Sequence, residues 1–313
     1  LYPITKAEYQ AGSVPTPAQL FSHSDQSVVW QQTRADAPDR RGWGGRLADM
    51  FYASNTNQQL SMNISIDGEN VFQAGDEVIP YFVGQGGAEG IWYVEPWQAD
   101  RRAAFIALRD AAHGNALQRQ FASVVRRSMN NQVMVNGALE GETPLTTTFP
   151  DTHLGRQLQM VARLIHVRNT LQMQRQIFFV GLGGFDTHDN QLADQAEQLT
   201  ELDGALAAFY AATLEMGVAN GVTTFTASEF GRTTSINGDG TDHGWGSHHL
   251  ILGGAVNGRR IYGRPPDLSV GGPDDADWGQ IIPTTSVDQY AATIARWYGV
   301  SPGDMSTVFP NIG

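Results

Sequence analysis

A glycine-rich segment near the middle of the chain carries acidic and imidazole side chains directly after an apolar run. Residues 176–182 (QIFFVGL) are almost continuously apolar, as in a parallel strand covered on both faces, and GGFDTHDNQ follows. Asp186 and His188 are two positions apart, so in an extended backbone their side chains project to one side and can share a divalent cation. Oxygen and nitrogen ligands together favour zinc, manganese or iron. We therefore predict that Asp186 and His188 are metal ligands; the alternative is a turn in which Asp186 caps the next helix.

A second apolar segment is also followed by acidic and imidazole residues. Residues 222–227 are predicted as a strand that runs into SEFGR, which contains Glu229, and DHGWG follows with Asp242 and His243. Such a concentration of ionisable groups is hard to explain by core packing, because isolated buried charge is costly. The glycines after His243 permit close approach of other groups. We predict that Glu229, Asp242 and His243 are further metal ligands.

Arg232 follows the second acidic residue at the expected rim of the site. A guanidinium group can donate to two oxygens of a phosphate or sulfate, so we predict that Arg232 is a catalytic residue that binds such a group. The alternative is a simple salt bridge between Arg232 and Glu229.

The elements that position these residues alternate along the chain. Helices and strands in alternation make a parallel sheet with right-handed crossovers the expected topology, and the chain is predicted to be an α/β protein. The hydrophobic periodicity and the turn residues predict helices over 24–33, 43–53, 98–113, 116–134, 154–172, 191–216 and 287–298, and strands over 60–66, 176–182, 222–227 and 249–252.

Length and composition are those of one compact domain, residues 1–313, with 41% hydrophobic residues to build its core. The net charge of −12 and the lack of a basic run argue against nucleic acid, or an anionic membrane, as the main partner. No apolar stretch reaches membrane-spanning length. The absence of cysteine excludes disulfides, thiol chemistry and cysteine-bound metals.

Several motifs together resemble those of a known family. GGFDTHDNQ, SEFGRT, the following DHGWG and the earlier FSHSDQ occur in one order, and the resemblance runs from the first residues to about Gly263. The chain resembles the "domain of unknown function" family numbered fifteen hundred and one, exported sulfatase-like proteins that belong to the alkaline phosphatase superfamily.

This resemblance implies an alkaline phosphatase-like three-layer sandwich with a mostly parallel central sheet. It further implies a divalent metal and the hydrolysis of phosphate or sulfate esters, carried by a small molecule or by a polymer. Members of the family are usually exported by the twin-arginine route, so a periplasmic or extracellular location is expected.

The resemblance also implies a nucleophile at a helix start, a position held here by the segment FSHSDQ. Ser24 or Ser22 is the expected nucleophile, and His23 is the expected base or a ligand. The alternative is that these residues are an ordinary helix N-cap, for which Ser and Asp are preferred.

The first metal-binding strand of the family, with its Gly-Gly-Asn-Asp motif, is not present in the sequence. We therefore expect a domain that lacks its N-terminal strand region and is completed by that segment or by a second exported protein. The alternative function is a secreted structural or partner-binding protein that retains the hydrolase fold without catalysis.

Overall fold

A computed structural model of the chain describes residues 3–36 and 39–312. Its helices are α1 (Lys6–Ala11), α2 (His23–Gln32), α3 (Trp43–Phe51), α4 (Ala99–Asp110), α5 (Ala116–Glu140), α6 (His153–His166), α7 (Gln191–Glu215), α8 (Val287–Tyr298) and α9 (Met305–Val308). Its strands are β1 (Asn63–Ser65), β2 (Tyr81–Phe82), β3 (Ile177–Phe179), β4 (Thr223–Phe225), β5 (Arg232–Ile236), β6 (Thr241–His243) and β7 (Ile251–Gly253). Helices and strands are therefore mixed along the chain, as predicted.

A small parallel sheet lies at the centre, with strands in the order β2, β1, β3. Ile64 pairs with Tyr81 on one side and with Phe178 on the other, and it is completely buried. Fully buried Gln73 donates from Nε2 to the carbonyls of Ile64, at 3.0 Å, and Ile177, at 2.9 Å. This side chain ties β1 to β3 and satisfies backbone acceptors inside the core. The predicted parallel pairing is confirmed for β1 and β3, whereas β2 was not predicted as a strand.

The strand predicted at 222–227 does not extend this sheet. It is shorter than predicted, and β4 pairs antiparallel with β7, with Thr224 opposite Leu252. Strands β5 and β6 form a separate antiparallel pair. The backbone of β4 is hydrogen-bonded to β7. The side chain of Phe225, the last residue of β4, contacts the rings of Trp43 and Phe72 in the core.

Two hydrophobic clusters hold the layers together. The larger joins β1 to α6 and α7, and α6 buries Leu158, Val161 and Leu164 along one face at helical spacing. The smaller packs α3 against α8 and α9, with Trp43 and Phe309 in ring contact.

The helix predictions differ from the structure mainly at the ends. Helix α5 runs to Glu140, six residues beyond its predicted end. Helix α6 ends at His166, before its predicted end at residue 172, and the chain then continues as turns. No helix among the described residues is both long enough and apolar enough to cross a membrane.

Candidate metal centre

The first turn of α2 brings His23 to the cluster of charged residues. Ser22 is the N-cap, and its hydroxyl accepts a hydrogen bond from the backbone of Asp25. In this capped turn, Nε2 of His23 lies 3.3 Å from Asp186 Oδ2 and Nδ1 lies 2.8 Å from Glu229 Oε1. His23 therefore connects the loops that follow β3 and β4.

The loop between β3 and α7 presents Asp186 and His188 to the same side, as their spacing predicted. His188 Nε2 lies 3.2 Å from Asp186 Oδ2, while Thr187 between them is buried on the other side. The other ring nitrogen of His188, Nδ1, lies 3.2 Å from Asp242 Oδ1. The start of this loop is fixed by buried Gln157, which exchanges hydrogen bonds of 2.8 and 3.0 Å with the backbone of Gly181.

Two histidine rings therefore meet one carboxylate oxygen. The Nε2 atoms of His23 and His188 both face Asp186 Oδ2, and each ring has a carboxylate on its Nδ1 side, Glu229 for His23 and Asp242 for His188. A carboxylate that accepts a hydrogen bond from Nδ1 orients the ring and turns Nε2 towards Asp186, so that the imidazole and the carboxylate can share a cation.

His243, the last residue of β6, completes the group. Its ring centroid lies 4.3 Å from that of His23 and 6.1 Å from that of His188. One ligand atom each from His23, Asp186 and His243 lie within 4.8 Å of one another. Two imidazoles and a carboxylate suit a divalent cation such as zinc, so the residues fit the expected cofactor.

Arg232 holds the parts of the site together. Its guanidinium is bonded to the Asp186 carboxylate, to the Thr187 carbonyl at 2.7 Å, and to both the hydroxyl, at 2.9 Å, and the carbonyl of Thr241. These contacts tie the β5–β6 hairpin to the loop after β3. In the structure Arg232 positions Asp186, and its predicted contact with a substrate anion stays a prediction.

Two glycines, Gly231 of the SEFGRT motif and Gly240 shortly before DHGWG, are required because backbones approach closely here. A Cβ on Gly231 would lie 1.9 Å from the Gly246 carbonyl oxygen, and one on Gly240 would lie 2.2 Å from the His188 carbonyl oxygen. Neither distance is compatible with a side chain, so these glycines allow the segments that carry His188 and His243 to come together.

The protonation states of Asp186 and His243 favour metal binding. Burial raises the pKa of Asp186, but hydrogen bonds from Arg232 and His188 outweigh it and hold the pKa below its usual value. Burial, followed by the charge of nearby His23, lowers the pKa of His243. An ionised carboxylate and a neutral imidazole are the forms that bind metal ions.

Most of the predicted site residues come together in space. The cluster contains the predicted ligands Asp186, His188, Glu229, Asp242 and His243, together with His23 and Arg232 that had been predicted as catalytic. His23 enters as a possible ligand, one of the two roles that the family resemblance implied for it.

Two alternatives considered for these residues are wrong. Arg232 pairs with Asp186 while Glu229 pairs with His23, so the alternative salt bridge between Glu229 and Arg232 does not form. Asp186 does not cap the next helix, since Asn190 is the N-cap residue of α7.

Ser24 lies beside the cluster on the exposed first turn of α2. Among the described residues, its hydroxyl contacts that of Ser22 at 3.1 Å. Ser22 forms the N-cap, as its residue type allowed, and also donates to Asp25 Oδ2 at 2.5 Å. The structure brings neither hydroxyl into contact with the metal-binding atoms.

These features define an α/β protein with a possible His, Asp, His metal-binding triad at the ends of its strands. A family model described as "Protein of unknown function (DUF1501)" matches residues 3–296, so the chain belongs to this uncharacterised family. No curated protein matches the chain, and no solved structure does.

Proposed function

We propose that this protein is a metal-dependent hydrolase of phosphate or sulfate esters, on an alkaline phosphatase-like fold, that acts in the periplasm or outside the cell. The observation that carries the proposal is the convergence of His23, Asp186 and His243 ligand atoms within 4.8 Å, from three separate parts of the chain. The fold and the location rest on the resemblance of the motifs to exported members of the family.

The cluster divides into residues that hold the cation and residues that orient them. His23, Asp186 and His243 supply the ligand atoms, and His188 lies beside them with Nε2 3.2 Å from Asp186 Oδ2. Glu229 and Asp242 were predicted as ligands, but each contacts the Nδ1 atom of a histidine, and that position suits an orienting carboxylate.

The position of α2 favours an anionic substrate. The N-terminus of this helix lies at the cluster through His23, and helix N-termini attract phosphate and sulfate groups. A divalent cation held by His23, Asp186 and His243 would polarise an ester oxygen and lower the pKa of a bound nucleophile. Ser24 is the proposed nucleophile because it is exposed on the same turn, one residue from His23.

Elemental analysis of natively purified protein tests the metal site. We expect about one zinc, manganese or iron per chain in the wild type and loss of that metal in His23→Ala/His243→Ala, because two of the three ligands are removed. The matched control is His113→Ala, whose ring contacts the Arg109 carbonyl in another part of the molecule. Metal absent from every sample, or equally bound in the double variant, contradicts the site.

Hydrolysis of p-nitrophenyl phosphate and p-nitrophenyl sulfate tests the reaction. We expect turnover that is lost with a chelator, restored by the metal, and reduced at least about 100-fold in Ser24→Ala. Ser22→Ala is the comparison, since it removes a helix cap and costs about 1 kcal/mol of stability without removing the nucleophile.

The second candidate function is a non-catalytic partner-binding protein. The engagement of Arg232 with four acceptors favours it, because these contacts use the donors that a substrate anion would need. Stoichiometric metal without turnover of either ester, in a folded protein, would support this alternative over the hydrolase.

A further inference from the structure

The hairpin formed by α4 and α5 stands away from the protein body. In the fully described segment Ala116–Ser128, the first half of α5, Ala122 is the one buried residue, whereas the second half of the helix buries Val135 and Leu139 in the main core. Helix α4 has no buried residue. The first half of α5 is therefore held mainly by its neighbour in the hairpin.

Large apolar side chains are exposed on this hairpin. Leu117 is 83% exposed and Phe121 is 71% exposed, and Val124 follows them at helical spacing on the same face. On α4, Leu108 is also exposed. Apolar side chains arranged along one face of a projecting helix indicate a surface that is covered in function.

An aromatic segment continues this surface. Trp92, Tyr93 and Trp97 precede α4 and are between 64% and 79% exposed. The two tryptophans line a cavity of about 250 Å³ together with Arg102 and Met129, which places them beside the hairpin. Exposed indole and phenol rings favour the boundary between apolar and aqueous phases.

The same region is basic in an acidic protein. Of the 20 basic and 32 acidic side chains, residues 92–127 contain six arginines and three acids, Glu95, Asp100 and Asp110, leaving 14 basic against 29 acidic elsewhere. Arg109 and Arg126 share Asp110. Within the described part of the chain, Arg101, Arg119 and Arg127 form no ion pair, although Arg101 stacks over the Tyr93 ring. The net charge of the whole chain conceals this local positive charge.

We propose that residues 92–127 bind the surface of an anionic lipid membrane. Arginine with exposed Trp, Phe and Leu on a helix is the composition of interfacial membrane-binding segments. The charge of this surface favours a membrane over a second copy: anionic lipid phosphates complement the arginines, whereas a second copy would bring two basic hairpins together and repel. Leu117 and Phe121 enter the headgroup region, and the arginines contact lipid phosphates. This surface is independent of the proposed hydrolase site.

Vesicle co-sedimentation of the full chain tests the proposal. We expect binding to vesicles that contain phosphatidylglycerol and at least about tenfold weaker binding to pure phosphatidylcholine. Leu117→Ser/Phe121→Ser and Arg119→Gln/Arg127→Gln should each weaken the binding about tenfold, the latter because each arginine contributes separately near an anionic surface. The matched control is Leu192→Ser/Leu199→Ser, which changes two exposed leucines of α7.

The control variant is expected to bind like the wild type. Absence of binding by the wild type, or equal binding by all variants with unchanged far-ultraviolet circular dichroism, overturns the proposal. Light scattering measures the oligomeric state and so distinguishes lipid binding from self-association. A wild-type dimer that becomes monomeric in Leu117→Ser/Phe121→Ser also overturns the proposal, because a second copy of the chain then covers this surface.

Discussion

At the scale of single residues, Glu229 contacts one imidazole nitrogen, Nδ1 of His23, whereas Asp186 contacts two imidazoles and Arg232. We predict that Glu229→Gln weakens metal binding about 10- to 100-fold, since an orienting carboxylate is lost while the ligands remain. Titration calorimetry with zinc measures this, with Glu197→Gln on the exposed face of α7 as the control. Complete loss of binding would identify Glu229 as a direct ligand, and unchanged affinity would remove it from the site.

His249 is a residue at which pH and stability are coupled. Its ring lies 4.5 Å from that of Trp30 and 5.6 Å from that of Tyr290, and burial lowers its pKa to about 4. Below the ordinary pKa near 6.5, the unfolded chain therefore binds a proton that the folded chain does not, and stability falls as the pH falls from about 6.5 to about 4.

We predict that His249→Gln removes this part of the acid sensitivity. Between pH 7 and pH 4.5 the wild type should lose about 2 to 3 kcal/mol more unfolding free energy than the variant, as measured by urea denaturation. The other titrating groups are present in both proteins, so their contributions to the pH dependence of the unfolding free energy cancel in the difference. Parallel pH profiles for the two proteins would contradict the assigned burial effect.

At the scale of elements, the site depends on backbone segments that touch without side chains between them. We predict that Gly231→Ala costs at least about 2 kcal/mol and weakens metal binding, because its Cβ would overlap the Gly246 carbonyl oxygen and displace the strand that carries His243. Gly258→Ala is the control, since a Cβ there would have no atom within 4 Å. Thermal unfolding and zinc affinity measure both effects, and equal behaviour of the two variants would refute the argument.

The pairing of the elements marks the limit of what the sequence predicted. The shared position of Asp186 and His188 in the loop after a strand could be predicted because their spacing and the apolar strand before them are local signals, while their role as ligands stays a prediction. The antiparallel pairing of β4 could not be predicted from the sequence. Its partner β7 begins more than twenty residues later, and strand propensity does not encode parallel or antiparallel pairing. His23 was predicted only through the motif resemblance, because a lone histidine at a helix start carries no local sequence signal of a metal ligand.

At the scale of the whole molecule, the C-terminal residues complete the smaller core. Phe309 is fully buried and lies 6.0 Å from the Trp43 ring, and Arg46 donates to the carbonyl of Val308 at 2.6 Å. Burial lowers the pKa of Arg46 to about 10, and the guanidinium also bonds to the carbonyls of Arg41 and Gln32. The end of the chain is thus tied to α2 and α3.

We predict that Phe309→Ala destabilises the protein by about 3 to 5 kcal/mol, the usual cost of removing a buried aromatic ring. Ile261→Ala, at a side chain that is 83% exposed, should change the stability by less than about 0.5 kcal/mol. Denaturant unfolding of both variants measures the difference. A small effect at Phe309 would show that the C-terminal residues are dispensable for the core.

The wide separation of the cluster along the chain has a mechanical consequence. A cation held jointly by His23 and His243 would close a loop of about 220 residues in a polypeptide that has no cysteine for a disulfide. By the entropy of loop closure, such a cross-link disfavours the expanded chain by up to about 5 kcal/mol. A protease that cut the backbone between the two histidines would then leave fragments that the cation holds together in addition to the packed core, so a chelator should lower the denaturant concentration at which they separate.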